Sequence, residues 1–203
     1  MSIKKAKVAV LVSGGGTNLQ ALIDAEKNGI IKNGKISLVI SNVSGAYALE
    51  RAKNNGIENL VITKKGCGGQ ENFEKQIIKT LEEKKIDLIV LAGFMSILSE
   101  DFVKRYDERI INVHPSLIPS FCGKGFYGLK VHEEALKKGV KVTGATVHFV
   151  NEIPDGGKII FQKAVRVLDG DTPEKLQKRV MKQAEWKLLP LAVEKVSTEI
   201  IGE

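Results

Sequence analysis

Lys7-Val8-Ala9-Val10-Leu11-Val12-Ser13-Gly14-Gly15-Gly16-Thr17-Asn18 decides the architecture. Lys7–Val12 is a continuous apolar run, the kind shown by a parallel strand buried on both faces. Three glycines follow, and Thr17–Asn28 then reads as a helix. Leu19, Leu22, Ile23 and Glu26 recur at spacings of three and four, and Gly29 closes it.

Outward from this unit the same alternation repeats. Lys35–Ser41 reads as a second strand, Ala46–Asn54 as a helix ended by Gly56, and Asn59–Thr63 as a short third strand. Glu71–Lys84 reads as a helix with Phe73, Ile77, Ile78 and Leu81 on one face. Asp87–Ala92 is an almost wholly apolar fourth strand, expected at the centre. Ser99–Tyr106 is a short helix with Ser99 as cap and Glu100 and Asp101 in its first turn. Ile110–Val113 is a fifth strand.

Strands alternating with helices imply an α/β fold, a mostly parallel twisted sheet flanked by helices and joined by right-handed crossovers. The pattern then changes. Helix Leu129–Lys138 precedes two strand-like runs, Ala145–Val150 and Ile159–Val167, joined through Asp155-Gly156-Gly157. So short a connection suits an antiparallel strand pair at one side of the sheet. Thr172–Glu199 closes the chain as helix, with Thr172 as cap and Pro173 at its first position. Pro190 is expected to end or kink it.

With 203 residues, the chain suits one Rossmann-like domain over 1–203. No apolar run reaches the roughly 20 residues that span a bilayer. The start Met1–Lys7 is basic, but Val8–Val12 is too short for a signal-peptide core. The expectation is a cytoplasmic protein without membrane association. Cys67 and Cys122 match no metal spacing and read as free thiols. The net charge is +7, with Lys75, Lys79, Lys84 and Lys85 on solvated helix faces. A positive field of this kind steers anionic substrates. Aromatic content is only 5%, without a basic-aromatic stripe, which argues against a nucleic-acid partner.

Ser13–Asn18 joins strand to helix, where unpaired backbone amides and the helix dipole favour an anion. It reads as a phosphate cradle or as a plain tight turn. The dinucleotide fingerprint is absent, since Leu19 stands where its last glycine would be and the second strand ends in Ser41-Asn42 without an acid. A Walker loop is absent too, because Leu129-Lys130 follows Gly128. One phosphate is the expected ligand.

Asn112-Val113-His114-Pro115-Ser116 ends the fifth strand, and Pro115 stops regular structure just past the histidine. In open α/β sheets ligands bind at this carboxyl edge. His148, inside an apolar run, reads as a core histidine; His132, beside Glu133 and Glu134, reads as surface. No two histidines have zinc-ligand spacing, so no metal is expected.

Asp155 has two readings, a hairpin turn residue or a catalytic carboxylate. In the second, it raises the pKa of His114 and holds the imidazole cationic. His114 and the Asn112 amide then both donate to an oxyanion forming on a carbonyl carbon. No serine or cysteine lies in a nucleophile-elbow context, so a bound amine or water attacks directly. Leu91–Leu98 leaves the central strand on the same edge. It reads either as a core strand entering a helix or as the wall for a flat apolar cofactor ring.

These residues closely resemble phosphoribosylglycinamide formyltransferases, folate-dependent enzymes of purine biosynthesis, from Val8 to about Leu191. The resemblance rests on Ser13–Gln20, Leu91–Met95, Asn112–Leu117, and Val147–Val150 leading to Asp155–Gly157. It implies formyl transfer from 10-formyltetrahydrofolate, the co-substrate, to the amine of glycinamide ribonucleotide, without a metal. The catalytic residues it implies are Asn112, His114 and Asp155, with Thr146 ordering a water. The nucleotide falls to Gly16, Thr17, Asn18, Leu19 and Gln20, with Lys182 and Glu185 from the last helix. Folate falls to Gln70, to Met95, Ser96, Ile97 and Leu98, to Asn112, and to Asn151, Glu152, Ile153, Pro154 and Asp155.

Ser96 and Gln70 stand where the family often carries arginine. The loop Ser120–Gly128, longer than in some members, is expected to cover the site. Methionyl-tRNA formyltransferases and formyltetrahydrofolate hydrolases carry an extra domain, at the C-terminus and the N-terminus respectively, which is not expected here. A hydrolase-like enzyme and a non-catalytic nucleotide-binding module are the alternatives, and the protein is expected to be a monomer or homodimer.

Overall fold

The computed structural model describes residues 4–202, so part of the basic start and Glu203 lie outside the described residues. Its strands are β1 Ala6–Val12, β2 Gly34–Ser41, β3 Glu58–Val61, β4 Leu88–Leu91, β5 Ile110–His114, β6 Val142–Phe149 and β7 Ile159–Arg166. Its α-helices are α1 Thr17–Lys27, α2 Tyr47–Asn54, α3 Gln70–Glu83, α4 Glu100–Arg105, α5 Leu129–Lys137, α6 Pro173–Val180 and α7 Trp186–Gly202.

All seven strands form one sheet in the order β3-β2-β1-β4-β5-β6-β7. Pairing is parallel through β5, whereas β6 is antiparallel to both β5 and β7. This is the expected mostly parallel α/β sheet with an antiparallel pair toward the C-terminus. Alternate residues of β1 feed two cores. Val8, Val10 and Val12 meet Leu19 and Leu22 of α1 and Leu189 and Val193 of α7. Ala9 and Leu11 meet Phe73, Ile77 and Leu81 of α3. Burying such aliphatic side chains contributes about 1.5–3 kcal/mol each.

Chain order reverses between β1 and β4, the point where an open α/β sheet opens a crevice at its carboxyl edge. The loops that leave these two strands are the glycine loop and Gly93–Leu98.

Some boundaries differ from expectation. β6 starts at Val142, three residues before Ala145, and pairs along nearly all of β7. The Glu26 carboxylate accepts from the Ile36 amide at 2.9 Å. The largest correction concerns the last helix. Pro190 lies within α7 and does not end it. The irregularity falls one turn earlier, as a π turn over Met181–Glu185. Burial of Leu188, Leu189, Ala192, Val193 and Val196 holds α7 helical across the proline, which lacks one backbone donor.

Candidate active site

Strand alternation places the site's first residues. Asn112 and His114, two apart on β5, share the face that carries Ile110, while Ile111 and Val113 pack on the opposite core. The antiparallel register then sets His148 opposite Asn112 and Thr146 opposite His114. Four polar side chains thus form one block on two neighbouring strands.

His148 is buried, as a core histidine would be, but it also touches the site. Its Nδ1 lies 2.7 Å from the Phe149 carbonyl, so that nitrogen carries the proton. Its Nε2 lies 3.3 Å from Asn112 Nδ2, which sets the ring against the Asn112 amide.

The Thr146 hydroxyl is engaged by protein groups. It donates to the Ser116 carbonyl at 2.7 Å and accepts from the Ile118 amide at 3.1 Å and Gln162 Nε2 at 3.0 Å. Fully buried and fully bonded, it ties the loop behind His114 to β6.

Asp155 comes from the nine-residue connection between β6 and β7, Val150–Lys158, rather than from a two-residue hairpin turn. Its carboxylate lies 3.4 Å from His114 Nδ1 and 3.6 Å from His148 Nε2, and accepts from the Gly123 amide at 2.8 Å. Gly157 explains part of the motif. A Cβ there would lie 1.8 Å from the Phe149 carbonyl oxygen, so only glycine lets the returning chain pass so close to β6.

The electrostatics correct one expectation. Burial holds the His114 pKa below its ordinary value, outweighing the opposing charge of Asp155. His114 Nε2 donates to the Phe121 carbonyl at 2.8 Å. Asp155 stands 3.4 Å from Nδ1, longer than a charge-assisted bond of about 2.7–2.9 Å. Burial acts to raise the Asp155 pKa, but His148, His114 and the Gly123 amide together hold it below the usual carboxylate range.

A cleft of about 510 Å³ runs along this edge. Of the sequence-derived site residues, Asn18, Met95, Ser96, Ile97, Asn112, His114, Pro154, Asp155 and Glu185 line it together. The loop before α5 covers one side through Gly123–Gly128. Met95 and Ile97 are largely exposed on the cleft wall rather than packed as core.

Other predicted residues do not line the cleft. Gly16, Thr17 and Gln20 belong to the glycine loop and the start of α1, and Gly16 takes φ +70 where a Cβ would strike Ala48 at 2.6 Å. The Leu19 side chain is core. Gln70 bonds the Ile97 carbonyl at 3.0 Å and so supports the wall from behind. Leu98 packs on the core. Asn151 Oδ1 accepts from the Ile153 amide at 3.1 Å, while Glu152 and Ile153 are exposed. Lys182 is exposed on the π turn.

His132 is a second correction. It is fully buried on α5, lines the cleft, and has neither ring nitrogen hydrogen-bonded among the described residues. Burial and nearby His114 lower its pKa to about 4. Its position three and four before Ala135 and Leu136 puts it on the apolar face, a signal that Glu133 and Glu134 mask. Glu185, which lines the cleft, is buried, and burial pushes its pKa up to about 7, partly offset by a bond from Asn18 Nδ2 at 2.8 Å. No group of three or more His, Cys, Asp or Glu gathers in metal-binding geometry among the described residues. No helix among them is long and apolar enough to cross a membrane.

Comparison with known proteins places this geometry. The formyl transferase family model matches residues 6–193. The trifunctional purine biosynthetic protein adenosine-3 of Gallus gallus is 47% identical over 96% of the chain, which spans only 19% of that protein's length. The phosphoribosylglycinamide formyltransferase of Haemophilus influenzae is 41% identical, over 92% of this chain and 85% of its own. The crystal structure of glycinamide ribonucleotide transformylase 1 from Symbiobacterium toebii superposes with a TM-score of 0.89 at 38% identity, covering 96% of this chain and 89% of that one.

Proposed function

The chain belongs to the formyl transferase family, among the phosphoribosylglycinamide formyltransferases, and from that premise we propose that it formylates glycinamide ribonucleotide with 10-formyltetrahydrofolate. The observation that carries this reading is the Asp155 carboxylate at 3.4 Å from His114, beside Asn112, in a cleft that Asn18, Glu185 and Met95–Ile97 also line.

In this reading the glycine-loop amides, with Lys182, hold the phosphate, while Glu185 and Asn18 meet the ribose hydroxyls. Folate lies on Met95–Leu98 and the Asn151–Asp155 turn, backed by Gln70. Fixing both substrates supplies much of the rate, because the amine is held against the formyl carbon.

The amine attacks that carbon, a C–N bond forms, and the carbonyl oxygen becomes an oxyanion. Asn112 Nδ2 and the His114 ring donate to it. Nε2–H must leave the Phe121 carbonyl to do so. The developing oxyanion favours uptake of a solvent proton by His114, giving the imidazolium that burial disfavours in the free protein, and anionic Asp155 balances its charge. The amine proton passes to the folate nitrogen, through a water beside Asp155, as the bond to that nitrogen breaks. The products are the formylated nucleotide and tetrahydrofolate, in de novo purine biosynthesis. Such a protein works as a monomer or homodimer in the cytoplasm.

The test is folate release from 10-formyltetrahydrofolate, with and without glycinamide ribonucleotide. Release only with the nucleotide is expected. Release without it identifies a hydrolase, and no release identifies a binding module.

A further inference from the structure

The glycine loop and the Met95–Leu98 segment are joined by hydrogen bonds in which one side chain, Asn42, spans both. The Ser13 hydroxyl donates to Asn42 Oδ1 at 2.6 Å and accepts from the Met95 amide at 2.8 Å. Asn42 Nδ2 donates to Ser96 Oγ at 2.7 Å. Asn42 is the first residue past β2, with its own amide directed at the Val12 carbonyl. Its side chain therefore reaches across the end of β1 to the loop that leaves β4. Ser13, Asn42 and Ser96 are half-buried, where water competes less for these bonds.

A carboxamide suits this place because it accepts on one atom and donates from another. Ser13 then uses its hydroxyl proton on Asn42 and its lone pair on Met95. Neither loop can shift without breaking a bond to the other.

We propose that Asn42 is a positioning residue that fixes the separation of the two substrate loops, and through it the distance between the attacking amine and the formyl carbon. The proposal rests on the assignment of nucleotide and folate to these loops. Misplacement by about 1 Å costs up to about 100-fold in rate.

The experiment measures kcat and both KM values for wild type, Asn42→Ala, Ser96→Ala and the double variant. Asn42→Ala should lower kcat about 10- to 100-fold while each KM changes little. Ser96→Ala should lower kcat less, and the double variant should be no worse than Asn42→Ala, since one tie is lost once. Asn42→Asp, able to accept from both serine hydroxyls, should restore part of kcat.

Unchanged kcat in Asn42→Ala, both KM values rising together, or losses that multiply in the double variant would overturn the proposal. Wild-type turnover reads the assigned reaction separately. Without it, amide exchange decides the tie. Faster exchange in Asn42→Ala at Met95 and across Gly14–Gly16 together supports it, and a change confined to one loop sinks it.

Discussion

The cleft brings together two chemically different sets of side chains: Asn112, His114 and Asp155, the finished set, each have a polar neighbour, whereas Asn18 Oδ1 and both nitrogens of His132 are buried with none among the described residues. The first set is built on a strand pair whose register brings Asn112, His114, Thr146 and His148 together. The second collects α1, α5 and the π turn, three elements far apart in sequence. Each unpaired buried polar group costs about 1–3 kcal/mol. One set is thus finished before substrate arrives, and the other keeps polar groups that a ligand can satisfy.

The largest effect expected from this contrast is in the finished set. His114→Ala removes one oxyanion donor and should lower kcat by about 10²–10³, with the nucleotide KM little changed. Steady-state kinetics checks it, and near-normal turnover would remove His114 from the reaction.

The unfinished set should show in pH-dependent stability. The His132 pKa is depressed from 6.5 to about 4, so the folded state favours the neutral ring. That stability is full above the unfolded pKa and is lost as pH falls from 6.5 through about 4, on the order of 3 kcal/mol. Glu185 has the opposite sign. Its pKa, raised from 4.5 to about 7, gives stability that is full below 4.5 and lost as pH rises through about 7. Denaturant titrations across pH should therefore show His132→Asn losing less stability on acidification than wild type. Parallel acid limbs would remove His132 as their cause.

The smallest expected effect concerns the tie behind His114. Thr146→Val leaves the Ser116 carbonyl and the Ile118 amide without this partner and should cost about 1–3 kcal/mol in unfolding free energy. A neutral result would mean that water replaces the hydroxyl and the strand block is less self-contained than its bonds imply.

The contrast also explains how much was legible in the sequence. Apolar runs and helix periodicity are local, and they led to the sheet and nearly every element. Asn112 and His114 stand out for the same reason, two polar residues on a buried strand stopped by Pro115. Asp155 was ambiguous because its meaning depends on a nine-residue connection folding back to β5, and Asp-Gly is equally a turn pair. His132 was misread because its acidic neighbours suggest solvent, whereas the packing of α5 against α6 is a tertiary fact. The His114 pKa could not be judged from a nearby carboxylate alone, since burial is the larger influence. Pro190 misled because a propensity weighs one residue, and the apolar face of α7 outweighs it.

The division between a rate-setting set and an affinity-setting set is tested most directly by kcat and nucleotide KM in Asp155→Asn and Glu185→Ala. The expected result is a kcat loss with near-normal KM in the first, and a raised KM with near-normal kcat in the second. Loss of both parameters together in each variant would contradict it.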